Sequence, residues 1–89
     1  MRTLSGIKDL YDYLLFLAAE LKNRGSDELS DTVDRARRCS ASNISTEFLG
    51  ESRITLRRVS MEEKGILSDQ EREDLSGILK QLDASLDRR

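Results

Sequence analysis

The 89-residue sequence contains no histidine and a single cysteine, Cys39. Histidine is the commonest general base and the commonest metal ligand, and a thiolate zinc site needs several cysteines. The five glycines are scattered, and none belongs to a glycine-rich phosphate-binding loop. These absences remove the usual catalytic pairs and cofactor sites. We therefore expect a protein that is not an enzyme, binds no cofactor and has no small-molecule substrate.

Proline and tryptophan are also absent, and aromatic residues are limited to two tyrosines and two phenylalanines. Proline breaks helix interiors, and sheets are enriched in aromatic and β-branched residues, so this composition favours continuous helices. A chain of this length fits one domain, expected to span residues 1–89. One cysteine allows no internal disulfide, and no apolar run reaches the roughly 18–20 residues that span a bilayer. We expect a cytoplasmic protein with no membrane contact.

Apolar periodicity and capping residues predict four helices, at about 6–24, 27–38, 46–64 and 69–87. Gly25 is the expected C′ residue of the first helix, and Ser26 follows at once as the N-cap of the second. Ser68 and Glu71 have the spacing of a capping box. Short connections usually make consecutive helices antiparallel. The predicted fold class is therefore all-α, a small irregular four-helix bundle with mostly antiparallel neighbours.

The third predicted helix lies between a polar loop and a strong stop signal. The loop, at 40–43, consists of small polar residues that compete with helical hydrogen bonding. At the other end, Gly65 is the expected C′ residue of a Schellman motif. In that motif Met61 and Ile66 would make the accompanying apolar contact.

The first helix carries the densest apolar run, and its residues fall on more than one face. Three apolar residues, Tyr13, Leu15 and Phe16, lie off the main stripe. We expect the third and fourth helices to cover that stripe, and the second helix to lie on the bundle surface over its reverse side. Two arrangements are open for Phe16: it packs under the second helix, or it faces a partner. The main stripe comprises Ile7, Leu10, Tyr11, Leu14, Leu17, Ala18 and Leu21.

If Phe16 faces a partner, the reverse side of the first helix is an aromatic patch with an acidic rim. Aromatic anchors with polar rims often dominate protein–protein interfaces. Gly50 and Ile54 on the third helix form a second candidate patch, because glycine lets another backbone approach closely. The expected function is non-catalytic protein–protein interaction. The chain would either bind a second copy as a homodimer or act as an inhibitor or immunity-type binder of a basic protein. The predicted protein-binding residues are Asp9, Asp12, Tyr13, Phe16 and Glu20.

An alternative function is nucleic-acid binding. The chain has a formal net charge of −2, but the segment 35–58 contains six arginines against two glutamates. Arg53 and Arg57 lie one helical turn apart and form a candidate anion-binding pair. The acidic total, and Glu47 and Glu51 on the same helix, weigh against this alternative because they repel a phosphate backbone.

A third alternative is an enzyme or metal site in the core of the bundle. Asp27, Asp31 and Asp34 recur at near-helical spacing on the second helix. Paired carboxylates hold metals in some helical bundles, together with Glu-x-x-His motifs. This sequence has no such motif, so solvated helix faces explain these carboxylates better.

Overall fold

Capping residues divide the chain into helices where the sequence predicts them. The computed structural model describes residues 7–38 and 45–86. Within these ranges it contains α1 (Ile7–Asn23), α2 (Asp27–Arg38), α3 (Ser45–Glu62) and α4 (Asp69–Leu86), and no strand. The predicted all-α fold class is confirmed. The predicted start at 6, the loop at 40–43 and the end at 87 lie outside the described residues.

Consecutive helices run antiparallel, as predicted. Ser30, early in α2, donates from Oγ to the carbonyl oxygen of Ala18 late in α1, at 2.7 Å. At the other end of the pair, Arg37 Nη1 donates to the Tyr11 hydroxyl at 2.8 Å. The antiparallel arrangement continues between α2 and α3 and between α3 and α4. It brings together Arg58 and Glu28, Arg53 and Asp83, and Arg72 and Glu63.

The second helix is more central than the sequence predicts. It packs closely against both α1 and α3, whereas the close neighbour of α4 is α3. Its narrow buried stripe includes the small residues Ser30 and Ala36, which let the neighbouring backbones approach. Its contacts with Tyr11 and Ala18 place it against one edge of the main stripe of α1. The predicted position of α2, over the reverse side of α1, is therefore wrong.

One hydrophobic core joins all four helices. Its largest fully buried side chain is that of Phe48. The two phenylalanines of the chain therefore differ, because Phe48 is enclosed in the core and Phe16 is half-exposed. Leucine is the commonest residue in the rest of the core, and four of these leucines belong to α1. The buried members are Leu10, Tyr13, Leu14, Leu17, Ala18, Leu21, Leu29, Val33, Ala36, Phe48, Leu56, Val59, Leu67, Leu75, Ile78 and Leu82.

The joint between α1 and α2 is a Schellman motif. The Ser26 N–H donates to the Leu21 carbonyl at 2.9 Å, and the Gly25 N–H donates to the Lys22 carbonyl at 3.1 Å. Gly25 has φ 85°, a left-handed conformation that glycine adopts without steric cost. The predicted C′ role of Gly25 is confirmed.

The predicted capping box at the start of α4 is also confirmed. The Glu71 N–H donates to Ser68 Oγ at 3.2 Å, and the Ser68 N–H donates to Glu71 Oε1 at 2.8 Å. Each side chain satisfies a backbone donor that the first turn of the helix leaves without a helical partner. Glu71 thus fixes the first turn of α4.

The turn between α3 and α4 is built around a buried carboxylate. Arg72 Nε donates to both carboxylate oxygens of Glu63, at 3.0 and 2.9 Å, and the Gly65 N–H donates to Oε1 at 2.7 Å. These hydrogen bonds, that from Arg72 above all, hold the pKa of Glu63 below its usual value despite its burial. A charged group this buried is tolerated only because it is paired.

The same turn ends α3 earlier than predicted. The helix stops at Glu62, and the Ile66 N–H donates to the Glu63 carbonyl at 2.9 Å. Lys64 and Gly65 both have positive φ, 40° and 88°. The side chain of Met61 is 80% exposed. Gly65 has the left-handed conformation predicted for a C′ residue, but the Gly65 and Ile66 N–H groups both donate to Glu63. The predicted Schellman motif with its Met61–Ile66 contact is therefore wrong.

Replacing Glu63 with glutamine should lower the free energy of unfolding by about 2–3 kcal/mol, because the buried pair with Arg72 is broken. Urea unfolding followed by circular dichroism measures this change. The matched control is Glu62→Gln, since Glu62 is exposed and bonded to Arg58 at 2.8 Å. Losing such a surface pair should cost about 0.5 kcal/mol. Equal effects of the two substitutions would contradict the role given to Glu63.

Candidate functional site

The solvent-facing side of α1 carries two large apolar residues. Leu15 is 48% exposed and Phe16 is 45% exposed. Ala19, one turn further along, is exposed between them, and Asp12 is exposed one turn before. We name these four residues the α1 outer face. Leu15 and Phe16 are thus two large apolar side chains that the packing of the bundle leaves half-exposed on α1.

Phe16 lies at the margin of the outer face nearest α4. It lines a shallow recess together with Tyr13, Leu17, Glu71 and Asp74. The α2 helix does not contribute to this recess. Of the two arrangements open from the sequence, packing of Phe16 under the second helix is therefore wrong.

Tyr13 does not share the exposure of Phe16. Its side chain is only 3% exposed and belongs to the core, although the sequence groups it with Phe16 as a binding residue. Residues three apart on a helix are neighbours about 60° apart around its axis, so Tyr13 lies just inside the edge of the core and Phe16 lies just outside it. Tyr13 is therefore corrected from a surface residue to a core residue that supports Phe16 from beneath.

Leu15 lies at the opposite margin, beside α2. It lines a groove with Ala18 and Ala19 of α1 and with Asp31 and Asp34 of α2. The sequence places Leu15 off the main stripe, but it does not identify Leu15 as a binding residue. That inference requires knowing which edge of α1 is covered by α2, and periodicity alone does not provide it.

The three predicted acidic residues of α1 lie around the outer face. Asp12 is exposed, and Asp9 and Glu20 are partly buried. The acidic side chains of α2 and α4 extend the rim on both sides. Lys8 and Lys22 are exposed cations near its two ends. The structure thus surrounds Leu15, Phe16 and Ala19 with carboxylates from three helices: Asp9, Asp12, Glu20, Asp31, Asp34, Glu71 and Asp74.

Arg24 neutralises part of this rim and joins the end of α1 to the start of α4. Its Nη2 donates to Glu20 at 2.9 Å and to Glu71 Oε2 at 3.0 Å, while Nη1 donates to Glu71 Oε1 and, at 3.0 Å, to the Ile66 carbonyl. These bonds, together with the Ser68 N–H, lower the pKa of Glu71 to about 2. Glu71 therefore remains charged throughout the physiological range while it caps α4.

Asp34 has its own cationic partners at the other margin. Arg37 and Arg38 contact its two oxygens at 2.7 and 2.8 Å. The hydrogen bond from Arg37 is the main reason why the pKa of Asp34 is lowered. Asp31, on the same side of α2, is exposed. The two arginines offset the charge of Asp34, whereas Asp31 and Asp12 are exposed carboxylates of the rim.

The second candidate patch, Gly50 and Ile54, is also on the surface. Ile54 is 63% exposed and lines a groove between α2 and α3 with Arg35, Glu51 and Arg58. A Cβ atom added at Gly50 would meet no heavy atom within 4 Å. Packing within the single chain therefore does not require glycine at this position.

The predicted anion-binding pair lies against α4. Arg57 Nη2 contacts Asp83 Oδ1 at 2.8 Å, and Arg53 Nη1 contacts the same oxygen at 3.4 Å. Asp83 thus offsets part of the positive charge that the sequence places at Arg53 and Arg57. Sequence spacing within α3 could not reveal this, because Asp83 follows Arg57 by 26 residues.

The Arg24–Glu71 contact predicts an acid-sensitive stability. Glu71 has a pKa of about 2 in the folded chain against its usual 4.5, so its contribution is complete above pH 4.5. The contribution is lost as pH falls from 4.5 towards 2. In Glu71→Gln, this part of the acid dependence of the unfolding temperature should disappear. Glu73→Gln, at an exposed position of α4, is the control; a Glu71→Gln profile matching the control and wild type would contradict the assignment.

Two kinds of feature were searched for in the part of the chain that the structure describes. In residues 7–38 and 45–86, no group of three or more histidine, cysteine, aspartate or glutamate side chains is arranged to hold a metal ion. No helix within these ranges has the length and apolar character needed to cross a membrane.

Comparisons of the chain with protein families, with curated proteins and with solved structures gave no match. Function is therefore inferred from the residues of the chain itself.

Proposed function

We propose that the chain is a non-catalytic protein-binding module of the cytoplasm, and that its α1 outer face binds a basic partner protein. The observation that carries the proposal is the exposure of Leu15 and Phe16, on either side of Ala19, within a rim of carboxylates. An inhibitor that occupies a basic surface of its target would use such a face. We propose that this partner presents a basic amphipathic helix to the α1 outer face.

The apolar part of the face supplies binding free energy. Full burial of a leucine or phenylalanine side chain contributes about 1.5–3 kcal/mol, so covering two half-exposed side chains contributes roughly half of that at each position. Leu15 and Phe16 stand on a helix whose opposite side is anchored in the core. Little conformational entropy is lost when such side chains are covered, which favours their use as anchors.

The shape of the face suits a helix. Phe16 borders a recess towards α4 and Leu15 borders a groove towards α2, with small Ala19 exposed between them. Apolar side chains at i, i+3 and i+4 of a partner helix could enter these depressions, as in other helix-in-groove complexes. The outer face is therefore proposed to bind the apolar side of an amphipathic helix.

The acidic rim determines the charge of that partner. Carboxylates flank the apolar centre on α1, on α2 and on α4. Among the described residues, the cations near this rim are Lys8 and Lys22 at its ends, Arg24 paired with Glu20 and Glu71, and Arg37 and Arg38 paired with Asp34. Opposite charge on a partner accelerates association and aligns it, and like charge repels it. Lysine or arginine residues beside the apolar stripe of the partner would meet Asp12 and Asp31.

The nucleic-acid alternative has weaker support. Arg53 and Arg57 both contact Asp83, and Glu51 lies on the same helix. A phosphate backbone is bound by surfaces with an excess of lysine and arginine. The carboxylate near each arginine reduces that excess, so we do not extend the proposal to nucleic acid.

The proposal predicts binding of a synthetic amphipathic helical peptide with leucines on one side and lysines and arginines on the other. Titration followed by NMR should shift amide signals of the α1 outer face and of the adjacent parts of α2 and α4. Added salt should weaken binding, because screening reduces the attraction of exposed charges. A peptide with glutamates in place of its basic residues should not bind; equal binding of both peptides would contradict the proposal.

In the same titration, Phe16→Asp should weaken binding of the basic peptide by about tenfold or more, equivalent to about 1.4 kcal/mol. The control is Ser60→Asp, which adds the same charge at an exposed position of α3. Circular dichroism checks that both variants remain helical. Indistinguishable affinities of the two variants would show that Phe16 is not part of the binding surface.

A further inference from the structure

A second surface lies on the solvent-facing side of α3. Ile54 is the exposed hydrophobic residue at its centre, Gly50 precedes it by one turn, and Met61 follows it by two turns. Together with Glu47 and Arg57, these residues recur at alternating spacings of three and four, the pattern of a helix–helix contact seam. We name Glu47, Gly50, Glu51, Ile54, Arg57, Arg58 and Met61 the α3 outer face.

The charges of the α3 outer face are divided about Ile54. Glu47 and Glu51 precede it, and Arg57 and Arg58 follow it. Both glutamates and Arg57 are exposed, and Arg58 is partly exposed. When two copies run in opposite directions with Ile54 facing Ile54, Glu51 of one copy aligns with Arg57 of the other, and Glu47 aligns with Met61. The face is therefore complementary in charge to an antiparallel copy of itself at positions 51 and 57.

We infer that the α3 outer face binds the same face of a second copy in an antiparallel, two-fold symmetric dimer. With the symmetry axis at Ile54, the two isoleucines meet, and Glu51 of each copy lies opposite Arg57 of the other. A single self-complementary patch of this kind gives a closed dimer, in which every contact occurs twice.

Gly50 fits this dimer better than it fits the single chain. Mid-helix glycine is unfavourable compared with alanine, and at Gly50 a side chain would enter open space. In the antiparallel pairing, position 50 lies opposite Arg58 of the second copy. The missing side chain there lets the two helices approach and leaves room for the arginine.

The arginines have contacts within the chain that the dimer would rearrange. Arg57 contacts Asp83, and Arg58 contacts Glu28 and Glu62, each at 2.8 Å. These pairs are at the surface, where ion pairs contribute little and exchange readily. Because the α3 outer face offers only two large apolar side chains, we expect a transient dimer with a small interface.

Sedimentation equilibrium from micromolar to millimolar concentrations tests the dimer. Wild-type protein should show a monomer–dimer equilibrium, and Ile54→Glu should raise the dissociation constant by about tenfold or more. Ser76→Glu, at an exposed position of α4, should leave it unchanged. A wild-type chain that stays monomeric throughout, or a dimer indifferent to Ile54→Glu, would overturn the inference.

Charge reversal tests the antiparallel register itself. Glu51→Arg and Arg57→Glu should each weaken the dimer, because each places like charges opposite one another. The double variant restores opposite charges and should recover most of the wild-type affinity. Failure of the double variant to recover would overturn this pairing, provided that circular dichroism shows it folded.

Gly50→Gln separates dimerisation from the stability of the single chain. At low concentration it should raise the unfolding temperature, since glutamine favours helix and enters open space. At high concentration it should weaken association, because its side chain occupies the space opposite Arg58. An unfolding temperature and a dimer affinity that rise together would overturn the inference. The α1 outer face is not involved, so this result leaves the proposed function unaffected.

Discussion

Arg24 connects the first and last helices at one end of the bundle. The close helix pairs are α1–α2, α2–α3 and α3–α4, so α4 meets α1 mainly through side chains. Arg24 bonds to Glu20 on its own helix, to Glu71 on α4 and to the Ile66 carbonyl before α4. Glu71 also caps α4. One arginine therefore fixes the start of α4 beside the end of α1.

The position of that contact determines what remains exposed on α1. The α2 helix packs against the edge of α1 that contains Tyr11 and Ala18, and α4 approaches the opposite edge near Tyr13 and Leu17. None of the helices in residues 7–38 and 45–86 covers the arc between these edges. Leu15, Ala19 and Phe16 occupy that arc, while the carboxylates of α2 and α4 border it. Packing of the core thus creates the apolar centre and the acidic rim together.

The sequence predicts the structural features that depend on neighbouring residues, such as helix ends. It misses the contacts between residues that are far apart in the chain. Gly25, and the Ser68–Glu71 box, signal helix ends within a few residues, and both predictions are confirmed. Periodicity identifies the off-stripe residues of α1, but it cannot say that Tyr13 turns inward and Phe16 does not. The Arg24–Glu71 contact spans 47 residues. The pairing of Glu63 with Arg72 likewise depends on the turn between α3 and α4, so residue composition could not predict it.

We conclude that the α1 outer face is a solvent-exposed surface and not an unfilled part of the core. The chain has only two phenylalanines, Phe16 on that face and Phe48 in the core, so each serves as the reference for the other. Fluorophenylalanine incorporated at both sites gives two fluorine NMR signals, assigned by replacing Phe16 with leucine. A soluble paramagnetic agent should strongly relax the Phe16 signal and leave that of Phe48 protected. Equal protection of both signals would contradict the claim.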